Sequence, residues 1–205
     1  MILSNVAIFE ALDDGRLVIS PEPRPRTQTT GGPKPPYATT TVDLRLGQHL
    51  QIPKDGVQTV IDLREPGRVA TTLSALCDMK TLDRDWYRLA RNQFVLAQTV
   101  EEVRLVLPHY LTEPGCARPA LAARVEGKSS LARFGLLVNF TAPTIHAGWS
   151  GKITLEIMCL GTPLMLYPEM PICQLTLEEV SGTPAESESQ FQHQSTPSGE
   201  QTNPR

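Results

Sequence analysis

An all-β fold is predicted, and three observations predict it. The 205-residue chain spreads 18 prolines and 14 glycines along its length, as many short elements joined by turns require. Valine, isoleucine and threonine cluster between them, which favours strands. No strand–helix alternation runs along the chain, so a parallel α/β sheet does not fit. A sandwich, jelly roll or barrel is the architecture expected, with one good core and hardly two at this length.

Ser4 can cap a short helix in which Val6, Phe9 and Leu12 follow helical spacing, and Gly15 suits its end. Leu17–Ile19 reads as a strand. Residues 21–36 hold six prolines and two glycines and read as an exposed loop. Thr41–Leu46 alternates polar and apolar like a half-buried strand, with Gly47 placed for a turn. Further strands are expected at Val57–Leu63, Phe94–Thr99, Val103–Leu107 and Leu121–Val125. Four more follow at Gly135–Phe140, Gly151–Met158, Leu164–Tyr167 and Ile172–Leu177. Residues 1–181 thus form one domain. From 182 to 205 the chain is Ser, Gln, Glu, Pro and Thr with Phe191 its one aromatic. That segment cannot pack a core of its own and is expected to be a partly disordered tail or an ordering arm.

A net charge of −3 argues against a nucleic-acid partner. No apolar run approaches the roughly 20 residues of a membrane span, and no signal-peptide pattern opens the chain. A cytoplasmic location is expected. Cys77, Cys116, Cys159 and Cys173 form no CxxC pair and read as small buried hydrophobes. Scattered Cys and His, with no H-x-E and no P-C-x-x-C, argue against zinc, structural or catalytic.

Two places carry candidate chemistry. In Gly127-Lys-Ser-Ser-Leu-Ala-Arg-Phe-Gly135, a serine can cap a single helical turn. Lys128 precedes that turn, and Arg133 follows Ser129 by four residues on one face. Together with Ser130 this suits a polyphosphate, and a capped turn with solvated cations is the bland alternative. A P-loop is excluded, because its first glycine falls at Ala122. In Lys152-Ile-Thr-Leu-Glu-Ile157, Lys152, Thr154 and Glu156 share one strand face. That face is either solvated or lines a pocket, where Glu156 could shuttle protons. The turn Thr141–Trp149 links the two places. Trp149 can pack on a sugar or plug the core edge, and His146 is a site group or a surface residue.

These motifs, taken together, resemble the dCTP deaminase branch of the dUTPase-like superfamily. The matching blocks are Met1–Ser4, Gly15–Ile19, Thr41–Gly47, Phe94–Ala97, Arg124–Leu136, Gly148–Ile157 and Tyr167–Leu175. The resemblance covers most of residues 1–180, in order, and Glu126-Gly-Lys-Ser-Ser-Leu-Ala-Arg133 is its most specific part. It implies a distorted β jelly roll that assembles as a homotrimer with active sites where subunits meet. It implies hydrolytic deamination of dCTP to dUTP without a metal on the base, magnesium accompanying the triphosphate. Some relatives continue to dUMP and pyrophosphate. A diphosphatase-type or dUTPase-like hydrolase and a weakly active nucleotide-binding relative are the alternatives. dUTP and, as an effector, dTTP are further possible ligands.

By position, the resemblance makes Glu156 the general acid/base, with Ser129 and Arg133 positioning the attacking water and orienting Glu156. Lys128 and Ser130 match phosphate contacts. Thr154 and Leu155 match the pyrimidine-contacting strand, Leu155 through its backbone. The Ala142 carbonyl faces the water, Trp149 the deoxyribose, and Gln174 and Gln194 contact the nucleotide. The family pattern has Asp where this chain has His146, and Pro143-Thr144 matches neither known variant of the turn. The lid pattern Lys-Tyr-x-x-Gln reads Gln190-Phe-Gln-His-Gln194, keeping only the last residue. The Pro-rich loop near 22–40 and the stretch Pro108–Pro119 are longer than the family's.

Overall fold

The computed structural model describes residues 1–62, 64, 69–83, 85–108, 118–185 and 189–201. Helix α1 (Asn5–Asp13) leads into β1 (Leu17–Ser20) and the long β2 (Thr41–Pro53). Helix α2 (Val69–Leu76), β3 (Cys77–Thr81), β4 (Tyr87–Leu89) and the long β5 (Phe94–Leu105) follow. Then come β6 (Leu121–Gly127), the single turn α3 (Ser129–Ala132), β7 (Leu136–Val138) and β8 (Thr144–Ile145). The series closes with β9 (Ser150–Cys159), β10 (Leu164–Leu166) and β11 (Pro171–Glu179).

Nine strands form one antiparallel sheet in the order β7-β9-β5-β2-β11-β6-β8, with β1 added to β5 and β3 to β2. Strands β4 and β10 make a separate pair. The sheet curls into a distorted jelly roll because its long strands change partners midway. Strand β2 pairs with β11 up to Arg45 and with β5 beyond it, and the register shifts between Leu46 and Leu50. Gly47 sits at that switch, where a Cβ would lie 2.9 Å from the Gln98 carbonyl oxygen. It therefore allows close approach of two strands and not the turn its position suggested.

Strand β5 changes partners too, from β2 to β1. Glu101, fully buried, marks the change. Its carboxylate accepts from the Arg45 side chain at 2.7 Å and from the Arg45 backbone N–H at 2.9 Å. A buried carboxylate is tolerated only when so paired. This explains why Glu101-Glu102 does not split β5 into the two strands expected.

Ser4 caps α1 by accepting from the Ala7 N–H at 3.2 Å. The buried face is Ile8 and Ala11, with Phe9 and Leu12 half-buried and Val6 exposed. The stripe is rotated from that expected because Phe9 packs edge-on against Tyr37, 5.0 Å away, beneath the Arg26 guanidinium. Val57–Leu63 is not a strand over residues 57–62, and Leu63 lies outside the described residues. Val60 is 95% exposed, so no sheet face claims it. Helix α2, β3, β4 and β8 are not among the elements expected from the sequence. Helix α2 buries no residue fully; it is tied by Lys54, whose Nζ donates to the Ala75 carbonyl at 2.8 Å and whose backbone N–H donates to Leu76 at 2.9 Å.

The core runs between the curled faces and holds Leu44, Leu46, Val95, Ala97, Leu155, Ile157 and Leu175 without exposure. Cys159 and Cys173 belong to it and Cys77 is half-buried, all three as free thiols, while Cys116 lies outside the described residues. Burial first, then the charges of Glu101 and Asp43, push the Cys173 thiol far above its ordinary range. Among the described residues no helix is long and apolar enough to cross a membrane. Leu155→Ala should cost about 2–5 kcal/mol in chemical denaturation, because the side chain is fully enclosed.

Candidate active site

Strand β9 has the alternation read from the sequence. Ile153, Leu155 and Ile157 are buried, while Lys152, Thr154 and Glu156 are half-buried on the other face. One edge of β9 pairs with β5 along most of its length. The other pairs with β7 at Ile157–Cys159 and is left without a strand nearer its start.

The C-terminal segment fills that gap. Gln194 donates from Nε2 to the Lys152 carbonyl at 2.7 Å, and the His193 backbone N–H donates to the Ser150 carbonyl at 2.7 Å. Gln192 donates to the Gly148 carbonyl at 3.0 Å. Further on, Ser74 of α2 donates to Glu200 Oε1 at 2.8 Å. Gly151 lets the segment come close, since a Cβ there would lie 3.2 Å from the Gln194 nitrogen. Residues 189–201 thus dock on their own chain, although their composition gave them no core.

Between β9, the turn 141–149, α2 and this segment lies a cavity of about 410 Å³. Ala142, His146, Trp149, Thr154, Glu156 and Gln194 all line it. Its apolar walls are Val69 and Leu73 of α2, Leu96 of β5, Ile153 and Phe191. Among the described lining residues only Glu156 and His146 carry ionisable side chains. Glu156 Oε2 accepts from the Thr141 hydroxyl at 2.5 Å, and Thr154 donates to the Pro197 carbonyl at 3.4 Å. A flat, partly apolar ring with a few polar edges is the kind of group such a cavity holds, and one carboxylate beside it can pass a proton.

The remaining candidates lie elsewhere. Leu155 is in the core and can meet the cavity only through its backbone. Lys128, Ser129, Ser130 and Arg133 are absent from the described lining of this cavity. The N-cap of α3 is Lys128, not a serine, and it makes no side-chain cap bond. Its ammonium pairs with Asp43 of β2, whereas Ser129, Ser130 and Arg133 are exposed. Gln174 stands on β11 between Asp43 of β2 and Glu126 of β6, near Lys128 and away from the cavity. The chain therefore presents two separate places, a cavity with a carboxylate and an exposed cationic turn.

Sequence reading missed Asn139, Thr141, Val69, Leu73 and the docking role of Gln192. Asn139 carried a signal in its place before Phe140, where an abrupt end to a strand favours a left-handed residue; its φ is +48°.

Residues 2–180 match the family model described as dCTP deaminase-like. A dCTP deaminase of Shewanella oneidensis is 36% identical over 187 residues, 89% of this chain and 86% of the relative. One from Thermomicrobium roseum is 32% identical over 182 residues, 88% of this chain and 81% of its own length. A relative from Corynebacterium kroppenstedtii named "dCTP deaminase, dUMP-forming" is 36% identical over 189 residues, 91% of this chain and 86% of its own length. Among solved structures, the 2'-deoxycytidine 5'-triphosphate deaminase of Agrobacterium tumefaciens shares the fold with a TM-score of 0.58 at 18% identity. The alignment covers 87% of this chain, which spans about half (48%) of that one. The chain belongs to the dCTP deaminase-like family of enzymes.

Gln194→Ala should loosen the docked segment, removing a hydrogen bond to the strand backbone. Chymotryptic cleavage at Phe191 should then run roughly 5- to 10-fold faster, as a net loss near 1 kcal/mol implies. Limited proteolysis followed by mass spectrometry measures it.

Proposed function

We propose that this protein deaminates dCTP to dUTP and ammonia by hydrolysis, with Glu156 as the proton shuttle. The observation that carries the reading is Glu156 itself. It is half-buried on a rigid strand, in a cavity whose other walls suit a nucleoside. Water attacks C4 of the cytosine while Glu156 takes its proton. Glu156 delivers that proton to the ring nitrogen, then relays the hydroxyl proton of the tetrahedral carbon to the amine, which leaves as ammonia as the C4 carbonyl forms. dCTP and water thus balance dUTP and ammonia. Magnesium enters with the triphosphate as part of the substrate. Metal-independent attack on the base follows from the acid/base role given to Glu156.

Among its described lining residues the cavity offers no lysine or arginine, so a triphosphate needs charge from elsewhere. The turn Lys128–Arg133 is the source proposed, supplied by a neighbouring copy of the chain. A homotrimer with sites at its interfaces makes that geometry possible, and a closed ring gives every subunit the same contact. In it Ser129 and Arg133 would hold the water, and Lys128 and Ser130 the phosphates. Thr154, the Leu155 backbone and Ala142 would face the base, and Trp149 the sugar. Gln194 would act from the lid, while Gln174 would act on the phosphate side. A cytoplasmic nucleotide-metabolising role in supplying dUTP follows.

A second reading, continuation to dUMP and pyrophosphate, is favoured by the dUMP-forming Corynebacterium relative. Against it stands His146, which is not a carboxylate base at neutral pH.

Incubation with dCTP and magnesium separates the readings. Accumulated dUTP is expected; dUMP with pyrophosphate supports the second reading, and binding without turnover overturns both. Glu156→Gln should lower turnover at least about 100-fold with dCTP affinity little changed. Co-expression of Glu156→Gln and Arg133→Ala chains should restore roughly a quarter of wild-type turnover if each site draws on two subunits. Mixed assemblies as inactive as either variant would place both groups in one chain's site.

A further inference from the structure

Glu156 is held from two sides by residues that leave β7. Asn139, in the left-handed region, donates its backbone N–H to the Glu156 carbonyl at 2.9 Å. Its side-chain oxygen accepts the Glu156 backbone N–H at 3.1 Å, and its amide donates to the Thr154 carbonyl at 3.3 Å. One asparagine thus takes three backbone groups on the edge of β9 that no strand reaches at this point. Two residues on, the Thr141 hydroxyl donates to Glu156 Oε2 at 2.5 Å. Among the described residues, Oε1 receives no hydrogen bond.

We propose that Asn139 and Thr141 form a positioning clamp that makes Oε1 of Glu156 the single proton-carrying oxygen. Asn139 fixes the backbone from which the carboxylate projects. Thr141 engages Oε2 by donating to it, and this bond persists in both protonation states. When Glu156 is ionised, Oε2 accepts as a carboxylate oxygen. When the proton taken from water sits on Oε1, Oε2 accepts as a carbonyl oxygen. No rotation of the carboxyl group is then needed between uptake from water and delivery to the ring. Without Thr141 no hydrogen bond from a described residue distinguishes the two oxygens, and a fraction of encounters present the wrong one. The hydroxyl is exposed in the single chain, so the clamp works best when ligand or a neighbouring copy excludes water. The proposal rests on Glu156 being the proton shuttle of a deaminase.

Thr141→Val keeps the shape and removes the donor, while Thr141→Ser restores it. The valine variant should lose about 10- to 100-fold in kcat at nearly unchanged KM and melting temperature. The serine variant should return to within about threefold of wild type. Equal losses in both variants, or valine turnover within about twofold of wild type, would overturn the role of Thr141. Asn139→Gly keeps the left-handed φ and drops the side-chain bonds; unchanged kcat there would remove Asn139 from the clamp. A second readout needs no turnover. In glutamate-labelled protein the Glu156 carboxyl ¹³C resonance should move in Thr141→Val and return in Thr141→Ser. If the wild-type protein does not deaminate dCTP, the functional reading falls while this resonance still decides the clamp; an unmoved resonance in Thr141→Val overturns it.

Discussion

Everything in the candidate site hangs on the pleat of β9. One row of its side chains, Ile153, Leu155 and Ile157, is sealed in the core, and this fixes the register of the other row. A slip of one residue would drive Glu156 into an apolar interior and expose Leu155, at a cost no local contact could offset. The apolar row therefore does what a dedicated hinge or metal does in other sites: it makes the direction of one carboxylate non-negotiable. The two edges of the strand then divide the work. Strand β5 completes the sheet on one side, while on the other Asn139, β7 and Gln194 share the free backbone groups. Because short pieces and not a long strand cover that edge, a cavity can open beside it.

The charge distribution sets a second constraint. A triphosphate carries several negative charges, and a lone carboxylate with a histidine cannot balance them. The cationic turn faces outward, with Ser129 and Ser130 exposed on α3, Arg133 exposed at its C-cap, and its lysine anchored by Asp43. That ion pair is half-buried, which orders the lysine stem without neutralising Arg133. Within one chain the cation and the carboxylate stand apart, and on the proposed reading their union across an interface ties activity to assembly.

What the sequence made legible follows from the length of each signal. Strand β9 was read correctly because six residues alternate without interruption, and α1 because a serine cap precedes an apolar run. The cavity face of β9 was legible; that Thr141 would bond Glu156 was not, since fifteen residues separate them and only the β7–β9 pairing brings them together. Gly47 and Glu101 misled for a related reason. Each resembles a turn or a break locally, and each is overruled by one long-range contact, with Gln98 and Arg45 respectively. Helix α2 carries only a short stripe, Val69, Leu73 and Leu76, within eight residues, and its end is held by Lys54 from outside the helix, so its own residues announce it weakly. The docked tail is the extreme case: Gln192, His193 and Gln194 donate to backbone carbonyls of β9 and the turn before it, a kind of partner that composition cannot reveal.

The cavity's single carboxylate also bears on how many reactions one site can run. Deamination needs a base that takes a proton and returns one, and Glu156 can do both in a cycle. Attack of water on phosphorus needs a second base near the phosphates, on the far side of the sugar from the ring. In the turn 141–149 the cavity wall presents His146 and no carboxylate among the described lining residues. A neutral imidazole can accept a proton there, but a protonated one adds positive charge and favours holding phosphate over activating water. The buried row of β9 fixes the backbone from which Glu156 projects and so keeps its carboxylate on the cavity face. On the proposed reading, a cavity with one carboxylate among its described lining residues serves the deamination step and leaves attack on phosphorus to a group outside that lining.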